Sequence, residues 1–355
     1  MNHNLIKELC DTPGVPGCED AISSIVLWEI EDLCVAYLKD PMGNLIFQVN
    51  DTIPEAPTIL IDAHMDEVGF IVSHIEDNGM LRVIPLGGID PKLFYGQRLT
   101  IWGKEKVEST VAAIPPHISD KNSSGSIPVD DCLIDTGISP NKIKKIISIG
   151  DQVTFSTECV IDNQRILSKS LDDRIGLYVM LETIKKVNVK RLKCNFFASA
   201  SVQEEMGLRG ARIINSQVNP DFSIALEGTV SNDLPGIPLH KKLAQLGNGP
   251  EIRISDKYLI ADRGFNEYIQ KIAKNKKINC QLTAKNAGGT NSTAFQVTGK
   301  GSKATVLSVP VRYLHSPSSV CLLKDVDSTI KLLTSSILDI HKFKNDWKKH
   351  HYFNI

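Results

Sequence analysis

Residues 58–70, Thr-Ile-Leu-Ile-Asp-Ala-His-Met-Asp-Glu-Val-Gly-Phe, constrain the fold of this chain more than any other stretch. Thr58-Ile59-Leu60-Ile61 is a short apolar run of the kind that forms a buried strand, and it delivers His64 and Asp66 at its end. In a strand, residues two apart point to the same side. His64 is therefore predicted to offer one ring nitrogen to a metal while Asp66 orients the other, a pairing common at zinc sites. A His-x-Asp pair alone is a weak signal; its weight depends on whether the chain supplies further ligands.

Four other places do. Ser170-Leu171-Asp172-Asp173-Arg174 opens an amphipathic helix carrying Ile175, Val179 and Leu181. Glu204-Glu205 follows the strand-like run from Phe196 to Val202, and Ile224-Ala225-Leu226 ends in Glu227. His315 follows the predicted strand Ala304–Val309. Singly, each has a structural explanation: Asp172 as a helix N-cap, the Glu pair as solvated loop residues, His315 as a satisfied histidine. Glu227 is harder to explain that way, because a carboxylate at the end of an apolar run needs a partner. Jointly, all sit where strands end or helices begin, the rim at which open α/β sheets bind ligands. Two imidazoles and several carboxylates there make a donor set suited to zinc, cobalt or manganese.

Length and patterning set the frame. A chain of 355 residues can build one large or two modest domains. Residues 1–68 begin with helix-like stretches at Ile6–Cys10 and Ala21–Leu33, then hairpin-like strands near Val35–Tyr37 and Asn44–Val49. From 69 to 162 short β-branched runs alternate with Gly, Pro and Asn turns, which predicts a small β-rich insert. Helices and strands then alternate: helix 173–187, strands 194–202, 222–227 and 251–255, helix 262–276, strands 280–285 and 304–309, helix 322–341. The fold class expected is α/β, a mixed central sheet flanked by helices. The discontinuous main domain spans 1–68 and 163–355, interrupted by the insert at 69–162.

A net charge of −1 gives no case for nucleic acid or an anionic membrane as partner. The lysine-rich segments 142–145 and 342–349 are short enough to be solvated faces, and Lys348-Lys349-His350-His351 lies in a polar terminal segment. Eight cysteines carry no Cys-x-x-Cys pair, no signal-peptide pattern opens the chain, and no apolar run approaches a membrane span. A reduced cytoplasmic setting is the expectation, with Cys10 and Cys18 able to pair if oxidised.

At this point the sequence resembles the dinuclear metallo-aminopeptidases of the glutamyl/deblocking type, which form tetrahedral particles and include relatives called cellulase M. The resemblance rests on Ala-His-Met-Asp-Glu-Val-Gly, Leu-Asp-Asp-Arg, Gln-Glu-Glu-Met-Gly-Leu-Arg-Gly-Ala and Pro-Val-Arg-Tyr-Leu-His-Ser. Gly87-Gly88-Ile89-Asp90, Gly96-Gln97-Arg98, Pro115-Pro116-His117, Gly247-Asn248-Gly249-Pro250 and Gly288-Gly289-Thr290 extend it over nearly the whole chain. It implies two divalent metals bridged by Asp172, with His64 and Glu227 on one, Glu205 and His315 on the other, and zinc first among the metals. It further implies Glu204 as general base, Asp66 as support for His64, and a cis peptide bond between Asp172 and Asp173. The implied reaction is removal of N-terminal residues from short peptides. The insert is implied to pair subunits into dimers, and dimers into a dodecamer. His117 is implied to be structural or near the site mouth, while His74 and His240 have no carboxylate cluster beside them.

Two positions depart from the family pattern. Many relatives carry Asp where this chain has Glu227, and Asp is expected where Asn291 follows Gly288-Gly289-Thr290. Asn291 is expected either near the substrate's free amine or as a cap for the following helix. The alternatives to an aminopeptidase are an N-acyl or other amide deacylase using the same two metals, and a non-catalytic assembly protein. Glycosidase chemistry is disfavoured, since it uses a pair of free acid and base carboxyls.

Overall fold

The computed structural model describes residues 1–113 and 128–343. The Pro115-Pro116-His117 motif and the tail with His350 and His351 lie outside the described residues. At the centre is an eight-stranded mixed sheet. Its order is Ala36–Lys39, Leu45–Gln48, Asn195–Ser201, Thr58–His64, Phe222–Val230, Lys303–Val311, Glu251–Ser255, Gln281–Ala284. Four adjacent strands run parallel, from Asn195–Ser201 through Thr58–His64 and Phe222–Val230 to Lys303–Val311. Their C-terminal ends therefore open on one edge. Register fixes the level: His64 pairs with Ser201, and Glu227 with Ser308.

Alternation along these strands feeds two cores. Ile59, Ile61, Phe222, Ile224 and Leu226 face one side with the helices His3–Asp11, Leu171–Lys186, Arg263–Lys276 and Leu323–Asp339. Leu60, Ala304 and Val306 face the other, against Ala211 and Ile214 of the helix Arg209–Val218 and Phe295 of Asn291–Val297. Leu171–Lys186 is buried along nearly its whole length because it lies under the parallel strands, so its apolar residues leave almost no polar face. The helix 209–218 was not expected from the sequence, although Ala211, Ile214 and Val218 are spaced for one.

Strands Gly69–Ile75, Leu81–Leu86, Ile134–Asp135, Lys106–Val111, Arg98–Trp102 and Gln152–Phe155 close into a barrel with its own core. Phe70 anchors that core, 4.7 Å from Phe94 and 5.5 Å from Phe155 between ring centroids. A closed barrel has no free strand edges. The strand Val160–Asp162 pairs elsewhere, with Arg165–Ser168, which in turn pairs with Ser319–Leu322. All eight cysteines are free. Cys10 is a buried thiol and Cys18 a half-buried one. No helix among the described residues is long and apolar enough to cross a membrane.

Candidate active site

The parallel strand ends converge on Asp172. That residue follows a left-handed Ser170 and precedes a cis peptide bond to Asp173. His64 Nε2 lies 3.2 Å from Asp172 Oδ1, and His315 Nε2 lies 3.2 Å from Asp172 Oδ2, so one carboxylate stands between two imidazoles. On the His64 side, Glu227 Oε2 is 3.7 Å from Nε2. On the His315 side, Glu205 Oε1 is 3.1 Å from Nε2. Each histidine directs its other nitrogen to a backbone carbonyl: His64 Nδ1 to Asp66 O at 3.0 Å, His315 Nδ1 to Gly88 O at 2.9 Å. His64, Asp172 and Glu205, and separately His64, Asp173 and Glu227, each place ligand-type atoms within 4.8 Å of one another.

Burial makes these contacts count. His64, Asp173, Glu204 and Glu227 are buried, whereas His315 is about one-third exposed at the cavity wall. Burial opposes a positive charge on His64, but the Asp172 and Asp66 hydrogen bonds outweigh it and hold the imidazole well above its ordinary value. Burial likewise opposes a charge on Asp172, yet hydrogen bonds from His315 and His64 keep its carboxyl below the usual range. Glu204 and Glu227 are pushed up, first by burial and then by neighbouring carboxylates, with His64 acting against the rise. Glu227 Oε1 is buried with no hydrogen-bond partner. A buried set of carboxylates with an orphaned oxygen, facing two imidazole nitrogens, is the donor chemistry of a divalent-cation site.

A family model described as M42 glutamyl aminopeptidase matches residues 43–332. The chain belongs to that family. The lysyl aminopeptidase of Pyrococcus furiosus is 31% identical over 346 residues, covering 94% of this chain and 95% of the relative. An aminopeptidase from the archaeon Desulfurococcus kamchatkensis superposes with a TM-score of 0.90 at 31% identity, covering 96% of this chain and 97% of that one. The TET1 peptidase of Pyrococcus horikoshii, described as assembling into a tetrahedron or a large octahedral shell, gives 0.84 at 30% identity over 94% and 98%. This M42 chain is accordingly a peptide-bond hydrolase of the aminopeptidase type, in a metal-dependent family.

Two residues near the site have partners that their sequence positions did not indicate. The Asp66 carboxylate stands 3.4 Å from His64 Nδ1, farther than its own backbone oxygen. Its two oxygens also accept the backbone N–H groups of Glu204 and Glu205, each at 3.0 Å. Asp66 thus binds the turn that carries both glutamates. Asn291 does not face the cavity. It is buried beneath the site, donating through Nδ2 to Asp62 Oδ2 and to Ser201 Oγ, both at 2.8 Å.

An open cavity of about 1090 Å³ adjoins the cluster, and Asp172, Glu204, Glu205, Glu227 and His315 all line it. Its far wall holds groups that sequence reasoning did not single out. Arg253 Nη2 lies 3.3 Å from Glu251 Oε2, Arg253 Nη1 lies 3.1 Å from Asp256, and Lys285 Nζ lies 2.7 Å from Glu251 Oε1; Arg253, Glu251 and Asp256 are buried and Lys285 half-buried. Arg253 and Lys285 reach the cavity; Glu251 and Asp256 do not. Their sequence signal is the polar alternation Glu251-x-Arg253, which periodicity alone reads as an ordinary edge strand. His240 also lines the cavity, and His74 lies in the barrel strand Gly69–Ile75, exposed beside Glu76.

Proposed function

We propose that this enzyme removes N-terminal residues from short peptides with two divalent ions, held by His64 and Glu227 on one side of Asp172 and by Glu205 and His315 on the other. The observation that carries the reading is the Asp172 carboxylate set between two imidazole nitrogens, one at 3.2 Å from each oxygen. Zinc is the metal the donor set fits first, with cobalt or manganese acceptable. Such a pair of ions, when bound, supplies Lewis-acid activation of water and of the scissile carbonyl.

The chain's own residues do the rest. Glu204 makes no ion pair among the described residues and lines the cavity, so its carboxylate is available to take a proton from the attacking water and return it to the leaving amine. Asp66 fixes where that carboxylate stands, through the backbone N–H groups of Glu204 and Glu205. Asp173 accepts the backbone N–H of His64 at 3.3 Å and that of Gly176 at 3.0 Å, tying the His64 strand to the helix below it. Glu227, longer by one methylene than the expected Asp, still comes within 3.7 Å of His64. Glu204→Gln preserves size and should leave metal content unchanged while lowering kcat by about 10²–10⁴-fold. A variant with near-normal turnover would move the base elsewhere.

We read residues 69–162 as an inserted module and 1–68 with 163–355 as the catalytic part. The module is implied to contact a second subunit, on the way to a twelve-subunit particle. Support comes from the TET1 structures, one of them described as a dodecamer in the asymmetric unit. Light scattering near twelve times 39.1 kDa is the expected result; a monomer at every concentration contradicts it.

A further inference from the structure

Three consecutive backbone N–H groups lead into the glutamate pair, and two carboxylates hold all of them. Glu204 N–H and Glu205 N–H go to the two oxygens of Asp66, and Gln203 N–H goes to Glu19 Oε1 at 3.0 Å. Gln203 is in the left-handed region, at φ 54°. A non-glycine residue there persists where its surroundings over-determine it. The chain then turns back on itself, with Gly207 and Leu208 N–H both donating to Glu204 O.

Glu19 comes from 184 residues away in sequence and is buried. It stands at the start of the helix Asp20–Ile30, where a capping role would be the ordinary explanation, yet its side chain makes no capping bond to that helix. Oε1 instead accepts Gly17 N–H at 2.9 Å together with Gln203 N–H. The segment that presents it is itself stitched to the site. Glu67 N–H donates to Gly14 O at 2.9 Å, and the buried Arg174 guanidinium donates to the carbonyls of Leu9, Thr12 and Gly14. A Cβ on Gly14 would stand 2.9 Å from Arg174 Nη2 and 3.2 Å from Ile22 Cγ1, so any larger residue would push the guanidinium from its place.

We propose that Glu19 is a positioning residue for the catalytic base, holding the strained Gln203 turn so that Glu204 keeps its place over the cluster. This rests on the assignment of Glu204 as base. Burial, with the Asp66 carboxylate nearby, pushes Glu19 up to about 7. The same oxygen can accept both N–H groups whether or not the other carries a proton, so what the turn requires of Glu19 is an acceptor at full side-chain length.

The test compares Glu19→Met, which keeps volume without an acceptor, Glu19→Asp, which keeps charge without reach, and Glu19→Gln, which keeps both reach and a carbonyl oxygen. Each is assayed with the aminoacyl-p-nitroanilide that the parent cleaves fastest, beside Glu204→Gln and with metal content measured. Glu19→Met and Glu19→Asp should lose about 10- to 100-fold in kcat, the scale of a misplaced catalytic group, with KM within about twofold and metal content unchanged. Glu19→Gln should keep kcat within about threefold of the parent, since the accepted bonds survive. If Glu19→Met does not fold, Glu19→Asp against Glu19→Gln decides. Full kcat in Glu19→Asp, or a Glu19→Gln as impaired as Glu19→Asp, overturns the proposal while an inactive Glu204→Gln leaves the base assignment standing. A fully active Glu204→Gln overturns both.

Discussion

Asn291→Asp replaces the amide with the carboxylate that the family pattern leads one to expect, and it should destabilise this protein. Asn291 Nδ2 lies 2.8 Å from Asp62 Oδ2, in a pocket where Ser199 and Ser201 also donate to Asp62. In the parent, burial pushes Asp62 up to about 6, although the Ser199, Asn291 and Ser201 hydrogen bonds act to lower it. A second ionised carboxylate at that separation would repel it by 332/(20 × 2.8), or about 6 kcal/mol at an effective dielectric of 20. One of the two must therefore retain a proton, as paired carboxyls do. Holding that proton costs about 1.4 kcal/mol for each pH unit above the acid's own value. Two units above 6, at pH 8, that is about 3 kcal/mol. The sign follows from a folded-state pKa raised above the unfolded carboxylate's. The shared proton's contribution is fully present below about pH 4 and is lost as pH rises through 6 and beyond. Denaturant unfolding at pH 6 and pH 8, in metal-free and zinc-loaded protein, should show the variant's deficit growing by about 2–3 kcal/mol between them. A variant as stable as the parent at pH 8, or one with a larger deficit at pH 6, would refute the reasoning.

Two further outcomes follow from the cavity rim and wall. Arg312 Nε and Nη2 grip Asp233 at 2.6 and 2.7 Å and, with Ser231 and the Leu246 N–H, hold its carboxyl down to about 2 against the effect of burial, just upstream of His315. Because that value is depressed, its stability is present above about pH 4 and lost as pH falls through about 2; Asp233→Asn should cost about 1–2 kcal/mol at pH 7 after allowance for solvent screening. A cost that stays constant from pH 7 to pH 2.5 in urea unfolding contradicts the ion pair as its source. Beyond Asp172, Glu204, Glu205 and Glu227 the cavity presents Arg253, Lys285, Lys241 and His240 and no further carboxylate among its lining residues. At low salt, glutamyl-p-nitroanilide should exceed lysyl-p-nitroanilide in kcat/KM by about tenfold or more; the reverse order would show that Glu251 and Asp256 cancel that field.

What was legible in the sequence was set by strand ends. Apolar runs ending in His64 and Glu227, with His315 four residues beyond a third, announced a sheet whose rim carries polar groups, because few other arrangements place ionisable residues where buried strands end. What was not legible depended on backbone geometry and on partners distant in sequence. The His64–Asp66 spacing suggested side chains on a common face, and they lie 3.4 Å apart; that Asp66's carboxylate also takes the N–H groups at 204 and 205 could not be read from that spacing. Asn291 was expected near the substrate's amine or as a helix cap, and neither reading pointed to Asp62, 229 residues away in sequence. Closure of the barrel is equally invisible to alternation, which gives the faces of strands and not the order in which they pair. Glu19 carries no local signal, since a Glu beside a helix start is ordinary.

Metal stoichiometry measured against activity tests most directly whether two metals share Asp172. Protein stripped with chelator and titrated with zinc should take up two equivalents per chain, with hydrolysis of an aminoacyl-p-nitroanilide appearing as the pair is filled. Asp172→Ala, which removes the carboxylate between the two imidazoles, should lose both tight binding and turnover. Uptake that stays near zero with zinc, cobalt and manganese alike, or an Asp172→Ala variant that still binds two equivalents and turns over normally, would contradict it.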